Sequence, residues 1–328
     1  MNTYLRFLYN QFLVHPALPD DASPFAGQTI IITGSNVGLG LEAARHMARL
    51  GAEKLILAVR NVAAGEAART SIEASTGRTG VCEVWPLDLS SFSSVQAFAR
   101  RAAQQLCRLD AVVANAAIAT NVFDTAEGYE RTLTVNVLST ILLGMLLLPT
   151  LRASARAHPR APKPRLSIVV SEVHGWAVLP ECPEGTRLLD VLSNEETADM
   201  NGRYPVSKLL AVLAIREMVA RLRDDAVVVN MLNPGFCHSQ LARDAPGVGI
   251  KVMKMLLARS TEEGSRTLVA GAAAGDESHG EYMENGVVAP DAVSAFVRSE
   301  EGARMQRRVW GEIVEVLEGV EPGVTGNL

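Results

Sequence analysis

Cysteine pairs, metal-spaced histidines and blocks of like charge are all missing from this chain. Its four cysteines, Cys82, Cys107, Cys182 and Cys237, stand far apart and form no paired motif. That excludes a disulfide framework and a cysteine zinc site. With no secretory leader, it predicts free thiols in a reducing compartment, the cytoplasm. The 6 histidines are scattered with no HExxH-like spacing, so no metal is expected. Charged residues are 20% of the chain, the net charge is -5, and no run of one sign stands out, so nucleic acid is not expected as a partner. Tyrosine is sparse too, at 5 residues, yet one stands four positions before a lysine in "RYPVSKLLA". On a helix that spacing puts Tyr204 and Lys208 on one face.

Apolar residues make up 48% of 328, enough for a sizeable core. Two apolar stretches resemble membrane anchors. "MNTYLRFLYNQFLV" at the N-terminus has apolar residues at helical spacing, is interrupted by Arg6, Asn10 and Gln11, and is too short to span a bilayer. A helix docking on the chain's own body or a sister subunit is expected there, with membrane-surface contact or a frayed end as alternatives. "VNVLSTILLGMLLLPTL" (135–151) carries Asn136 and ends near Pro149, and reads as a helix buried in the protein or in a dimer interface. No transmembrane segment is therefore expected.

Strand and helix patterns alternate along the chain. Strands are expected at 28–33, 54–59, 81–87, 110–115, 166–171 and 226–232, with helices between them. This order predicts an α/β fold: a Rossmann-type doubly wound parallel sheet in three α/β/α layers, as a single domain. Residues 1–24 read as an amphipathic helix and linker, 25–318 as the domain, and 319–328, rich in glycine and proline, as a flexible tail. Two segments, 172–203 and 236–260, are longer than plain connections and follow strand ends. Ligands of open α/β sheets bind outside those ends. The segments carry Trp176, Leu179, Leu188, Leu189, Phe236, Val248, Ile250, Met253, Met255 and Leu256, which suggests an apolar pocket. The alternative is that these side chains only plug the loops onto the core.

"TGSNVGLG" (33–40) directly follows the first strand and opens a helix. Gly34 permits a tight turn, and Gly38 and Gly40 let main-chain amides approach a pyrophosphate. NAD-specific folds usually place a carboxylate at the end of the second strand. Here Val59 and Arg60 stand there, and an arginine suits the 2′-phosphate of NADP. The alternative is an exposed loop arginine.

At these motifs the chain resembles the short-chain dehydrogenase/reductase family, more narrowly its retinol-dehydrogenase-like branch and related fungal secondary-metabolism tailoring reductases. The resemblance covers roughly 26–318. "TGSNVGLG" matches TGxxxGxG, "LDLS" supplies Asp88 and Leu89, and "ANAA" stands where the family has NNAG, keeping Asn115 but not the residues beside it. "VNV" supplies Asn136, "VVSEVHG" supplies Ser171 with Glu172 as a rival register, and "YPVSK" supplies Tyr204 and Lys208. "NPGFCHS" matches PGxxxT through Pro234, Gly235 and Ser239, and "GEY" (280–282) resembles the last strand. The resemblance implies catalytic residues Asn136, Ser171, Tyr204 and Lys208. It implies NADP(H) held by Gly34, Ser35, Asn36, Gly38, Leu39, Gly40, Arg60, Asp88, Leu89, Asn115, Tyr204, Lys208, Pro234, Gly235 and Ser239. His174, Trp176 and Phe236 are the candidate substrate-pocket residues.

A free tyrosine titrates near 10. A neighbouring ammonium is expected to pull Tyr204 down by roughly 1–3 pH units, making it a general acid or base. Ser171 would hydrogen-bond the substrate oxygen. The leading reading is an NADPH-dependent carbonyl reductase acting on a small lipophilic ketone or aldehyde. One alternative is an NADP(H)-binding epimerase or dehydratase with no net redox, and another is a non-catalytic NADP(H)-binding protein. A homo-oligomer is expected, a dimer through the 135–151 helix and the helix from Tyr204, because those apolar faces need cover.

Overall fold

The computed structural model describes residues 3–20, 23–183, 185–238, 241 and 258–328. After an N-terminal helix α1 (Thr3–Leu13), βα units follow in turn. They are β1 (Thr29–Thr33), α2 (Gly38–Arg49), β2 (Lys54–Val59), α3 (Val62–Thr76), β3 (Cys82–Pro86), α4 (Phe92–Gln105) and β4 (Ala111–Ala114). The second half runs α5 (Ser139–Ala157), β5 (Arg165–Val169), a short α6 (Leu188–Leu192), α7 (Arg203–Arg221), β6 (Val228–Asn233), α8 (Thr261–Ala273), β7 (Tyr282–Glu284), β8 (Val287–Val288) and α9 (Glu300–Val320). The sheet order is β8-β7-β6-β5-β4-β1-β2-β3, parallel except for the β7–β8 edge pair. This is a Rossmann-type sheet whose strand order reverses between β1 and β4, the place where such folds bind ligands.

The strands are β-branched and buried on both faces, as in β1, where all of TIIIT is buried. Alternate side chains therefore feed two cores. Ile31, Ile56 and Val112 pack under α4, α5 and α7, whereas Ile30, Ile32 and Leu55 pack under α2, α3 and α8. The apolar run expected to be a buried helix is α5. Arg131–Ala157 is long and apolar enough to cross a membrane, but 89% of its apolar 18-residue stretch is buried inside the protein. β7, the last parallel strand, begins at Tyr282, the final residue of the GEY segment.

Three features differ from the sequence reading, and one cause joins them. Pro149 does not end the apolar helix; α5 continues through it to Ala157. Proline lacks the N–H that would bond the carbonyl four residues back, which here belongs to Met145. Asn327 supplies the missing donor through Nδ2, 3.2 Å from the Met145 carbonyl. Arg152, one turn on, binds the carbonyls of Asn327 and Leu328. Val324 and Leu328 are buried with α5, α7 and α9. Residues 319–328 are thus a docked terminus and not a loose tail. The apolar faces assigned to a dimer are consequently covered in cis: α9 lies along α7, and the C-terminal turn lies against α5. The stated basis for a dimer through these helices is gone.

Deleting residues 321–328 should therefore destabilise the protein by about 3–6 kcal/mol, the burial worth of two such side chains, and should raise light scattering as α5 is uncovered. A denaturant unfolding midpoint unchanged by the deletion would show that the terminus does not dock.

Candidate active site

The glycine turn after β1 is built to hold an anion. Gly34 sits at φ 66°, a conformation that favours glycine. A Cβ on Gly40 would meet Asn115 Nδ2 and the Gly34 carbonyl at 2.7 Å each, so only glycine fits there. Thr33 ties the turn to β4: its hydroxyl accepts from the N–H groups of Asn115 (3.0 Å) and Ala116 (2.8 Å). Asn115 Nδ2 donates back to the Thr33 carbonyl at 2.9 Å. Helix α2 starts at Gly38 with Val37 as N-cap and no side-chain cap, leaving its first N–H groups free of one. These are the donors a pyrophosphate takes, so the residues present fit a dinucleotide. Asn36, Gly38 and Leu39 are part-exposed on the rim. Ser35 differs from the rest, because it is fully buried and donates to the Ile32 carbonyl at 2.8 Å. Its hydroxyl braces the turn.

The other candidates for the dinucleotide lie along the same edge. Arg60 is exposed immediately after β2. Asp88 is part-buried after β3, with Oδ1 accepting from Ser90 N–H at 2.9 Å, and Leu89 is buried in the core beside it. Pro234 and Gly235 follow β6. Ser239 lies outside the described residues, as do Val248, Ile250, Met253, Met255 and Leu256 of the second insertion.

The four catalytic candidates come together beyond the ends of β4 and β5. Asn136 sits in a π-helical turn, Thr134–Leu138, that leads into α5. Such turns are rare and often occur at functional sites. Its amide exchanges two 2.9 Å bonds with the main chain of Ile118 and donates to Ser207 Oγ at 3.0 Å. Ser207 in turn donates to the Tyr204 carbonyl at 2.8 Å. Lys208 is buried, donates to the Val169 carbonyl at 2.9 Å, and stands 5.7 Å from the centre of the Tyr204 ring. Ser171 opens the 3₁₀ turn Glu172–Trp176, its hydroxyl accepts from Val173 N–H at 3.4 Å, and it favours ionisation of the neighbouring Tyr204 phenol.

The electrostatics differ from the sequence expectation. Tyr204 is pushed above its ordinary value of 10.0, first by burial; the Ser171 bond works against this and Glu172 reinforces it. Part of its surface stays open, so water softens this push. Lys208, moved down to about 8 by burial, is not among the causes. Its ammonium is committed to a carbonyl and lies beside the ring. In the cofactor-free protein Tyr204 therefore holds its proton more firmly than a free tyrosine.

Sequence reasoning missed the groups that set this field. Glu172, weighed only as a rival to Ser171, is raised to about 7 by burial and then by Glu284, against Arg259 and an Asn233 hydrogen bond. Glu284, Arg259 and Gln11 belong to no motif, and only their buried positions reveal them. His174, expected to line a pocket, is 3% exposed and fully engaged. Its Nε2 accepts from Ser294 N–H at 3.0 Å, so Nδ1 carries the proton and donates to the Ser171 carbonyl at 2.7 Å. It braces Ser171 from behind. Leu188 and Leu189 are likewise core residues, their N–H groups held by Glu312 of α9. Trp176 remains 55% exposed on the turn after Ser171, and Phe236 is part-buried after β6.

Comparison with known proteins agrees with this geometry. Residues 28–158 match the family model described as short chain dehydrogenase. The chain is 44% identical over 331 residues to the short chain dehydrogenase/reductase dmxR8 of Cryptosporiopsis sp., covering 98% of this chain and 99% of the relative. It is 43% identical over 329 residues to the short-chain dehydrogenase anuD of Penicillium roqueforti, covering 98% and 84%. Among solved structures, a short chain dehydrogenase of Shigella flexneri complexed with NADP superposes with a TM-score of 0.59 at 22% identity, covering 81% of this chain and 99% of that one. The Pseudomonas aeruginosa RhlG/NADP active-site complex gives 0.60 at 21%, covering 81% and 97%.

The raised Glu172 carboxyl has a consequence for stability. Its folded value of about 7 lies above its ordinary 4.5, so its contribution is fully present below about pH 4.5 and is lost as pH rises through 7. The loss amounts to about 3 kcal/mol. Glu172→Gln should remove that share, so the mutant should lose less stability than wild type between pH 5.5 and 8.5 in thermal unfolding. Parallel pH profiles for the two proteins would refute this.

Proposed function

The chain belongs to the short-chain dehydrogenase/reductase family, and on that premise we propose that it is an NADPH-dependent carbonyl reductase acting on a lipophilic ketone or aldehyde. The observation that carries the reading is the grouping of the Tyr204 phenol with the Ser171 side chain and a buried lysine against its ring. NADPH, when bound, supplies the hydride that the carbonyl carbon receives. The chain's own residues do the rest. Ser171 hydrogen-bonds the substrate oxygen as negative charge develops on it, and Tyr204 Oη delivers its proton to that oxygen. Lys208, anchored on the Val169 carbonyl beside the Tyr204 ring, would hold the cofactor's ribose. Asn136 fixes the Ile118 main chain and, through Ser207, the start of α7. A phenol that keeps its proton at neutral pH is available to protonate an alkoxide, which is the stronger base.

Preference for NADPH over NADH is proposed from Arg60, exposed where a ribose-binding carboxylate would otherwise stand. The exposed Trp176 supports a lipophilic substrate, and fungal relatives of tailoring type fit a polyketide-derived one. The four free cysteines, two of them buried, suit a reducing compartment such as the cytoplasm.

Two measurements test this. Tyr204→Phe keeps the ring and removes the transferable proton. NADPH binding should survive within a few-fold while turnover with a panel of lipophilic ketones falls by about 10²–10⁴. Undiminished turnover would sink the mechanism, and deuterium from labelled NADPH that reappears in product without net NADPH loss would point to a non-redox reaction. Arg60→Ala should weaken NADPH by about 1–3 kcal/mol and leave NADH nearly unchanged, as read by nicotinamide fluorescence. Equal losses for both cofactors would remove the preference.

A further inference from the structure

The N-terminal helix makes contacts that simple packing does not require. Gln11 is 6% exposed although polar, and its side-chain amide grips one residue at both ends. Gln11 Nε2 donates to the Phe236 carbonyl at 2.6 Å, and Gln11 Oε1 accepts from Phe236 N–H at 3.3 Å. A buried amide is costly unless its groups are paired, and an apolar side chain would serve if α1 only covered a surface.

Around this grip the attachment continues. Arg259, 4% exposed, donates to the Val14 carbonyl at 2.7 Å and to the Asn10 carbonyl, at the end of α1 where helix carbonyls lack partners. Its own N–H donates to the Phe236 carbonyl at 2.9 Å. Arg6 binds Glu284 at the end of β7 at 2.9 Å. Arg266 of α8 reaches the Pro16 carbonyl at 3.2 Å. Residues 6–16 are thus fastened at both ends of the second insertion and at the neighbouring strand.

What the grip fixes lies next to the chemistry. Phe236 follows Pro234–Gly235, the turn that leaves β6 beside Ser171. Gly235 has φ 76°, and a Cβ there would meet Arg259 Nη1 at 3.0 Å and Gln11 Oε1 at 3.4 Å, so α1 and Arg259 close directly on the turn. On the other side, Asn233 Oδ1 accepts from Gly235 N–H at 3.1 Å and from Glu172 N–H at 3.3 Å. A continuous chain of bonds runs from Gln11 through Phe236, Gly235 and Asn233 to the residue after Ser171.

We propose that α1 is a working part of the cofactor site and that Gln11 is a positioning residue, holding the Pro234–Phe236 turn in the shape that receives the nicotinamide end of the dinucleotide. This rests on the reading of the protein as an NADPH-dependent reductase. In this account Gln11 touches neither cofactor nor substrate. It acts on the main chain of the turn, so its loss falls on NADPH binding more than on proton transfer at Tyr204.

The test uses the full chain in wild-type, Gln11→Leu and Gln11→Glu forms. Leucine keeps the volume and removes both bonds. Glutamate keeps an acceptor for the Phe236 N–H and loses the donor. NADPH dissociation constants are measured by fluorescence, deuterium exchange is followed in the peptide containing Phe236, and KM for NADPH is separated from kcat. Gln11→Leu should raise the NADPH dissociation constant and KM about tenfold, as loss of two such bonds implies. It should also speed exchange at Phe236 and change kcat at saturating NADPH by less than about threefold. Gln11→Glu should fall between it and wild type, and this variant carries the test if Gln11→Leu does not fold. Faster exchange with NADPH affinity within twofold of wild type would overturn the proposal, since the turn would then be held to no purpose at the cofactor. Unchanged exchange would overturn it as well. If wild type itself binds no NADPH, the reductase reading fails and takes this inference with it, an outcome visible before any variant is made.

Discussion

A single buried ion pair sets the relative placement of the two helices that carry the candidate catalytic groups. Glu130, fully buried, accepts from the N–H groups of Thr132 and Leu133 and so starts the turn that becomes the π-helical segment holding Asn136. Its other partner is Arg203, 2% exposed, with Nε 3.4 Å from the carboxylate. Arg203 is the first residue of α7 and the one before Tyr204. The pair therefore pins the start of α7 to the start of the Asn136 turn. Burying two charges gains little net stability, but removing one partner strands the other at a cost of about 3–5 kcal/mol. An arrangement so costly to leave half-made favours one register. With α7 fixed at its first turn, Tyr204 and Lys208 follow by helical geometry.

Much of this was legible in the sequence because the signals are local. The β-branched runs, the glycine turn and the Tyr204–Lys208 spacing each declare a conformation within a few residues. The sheet, its parallel sense and the place of the dinucleotide turn follow from them. What failed to show depends on partners far along the chain. Nothing near Pro149 reveals that Asn327 will supply the donor it lacks, so the helix was read as ending and the terminus as loose. The same blindness made α5 and α7 look uncovered, when α9 and the C-terminal turn cover them. Gln11, Arg259 and Glu284 carry no motif; they matter because folding brings them together around Gly235 and the end of β7. His174 sat in the right motif and was given the wrong role, because a sequence does not say which way a ring faces.

The sign of the tyrosine shift was the deepest miss, and it bears on function. Proximity to a lysine suggested an easily ionised phenol. Coulomb attraction is only one of the terms acting on a buried acid, and desolvation opposes it. Here Lys208 spends its ammonium on the Val169 carbonyl, while Glu172 brings a carboxyl of the wrong sign into the same neighbourhood. As Glu172 ionises near neutral pH, it makes the Tyr204 proton harder still to remove. A raised value weakens Tyr204 as an acid and strengthens its phenolate as a base together, so the field tunes the proton transfer without choosing its direction. In the proposed reduction the proton need only be present when an alkoxide forms beside Ser171, and an alkoxide is basic enough to take it from a reluctant phenol. A site with this balance has no need of a low tyrosine pKa at rest.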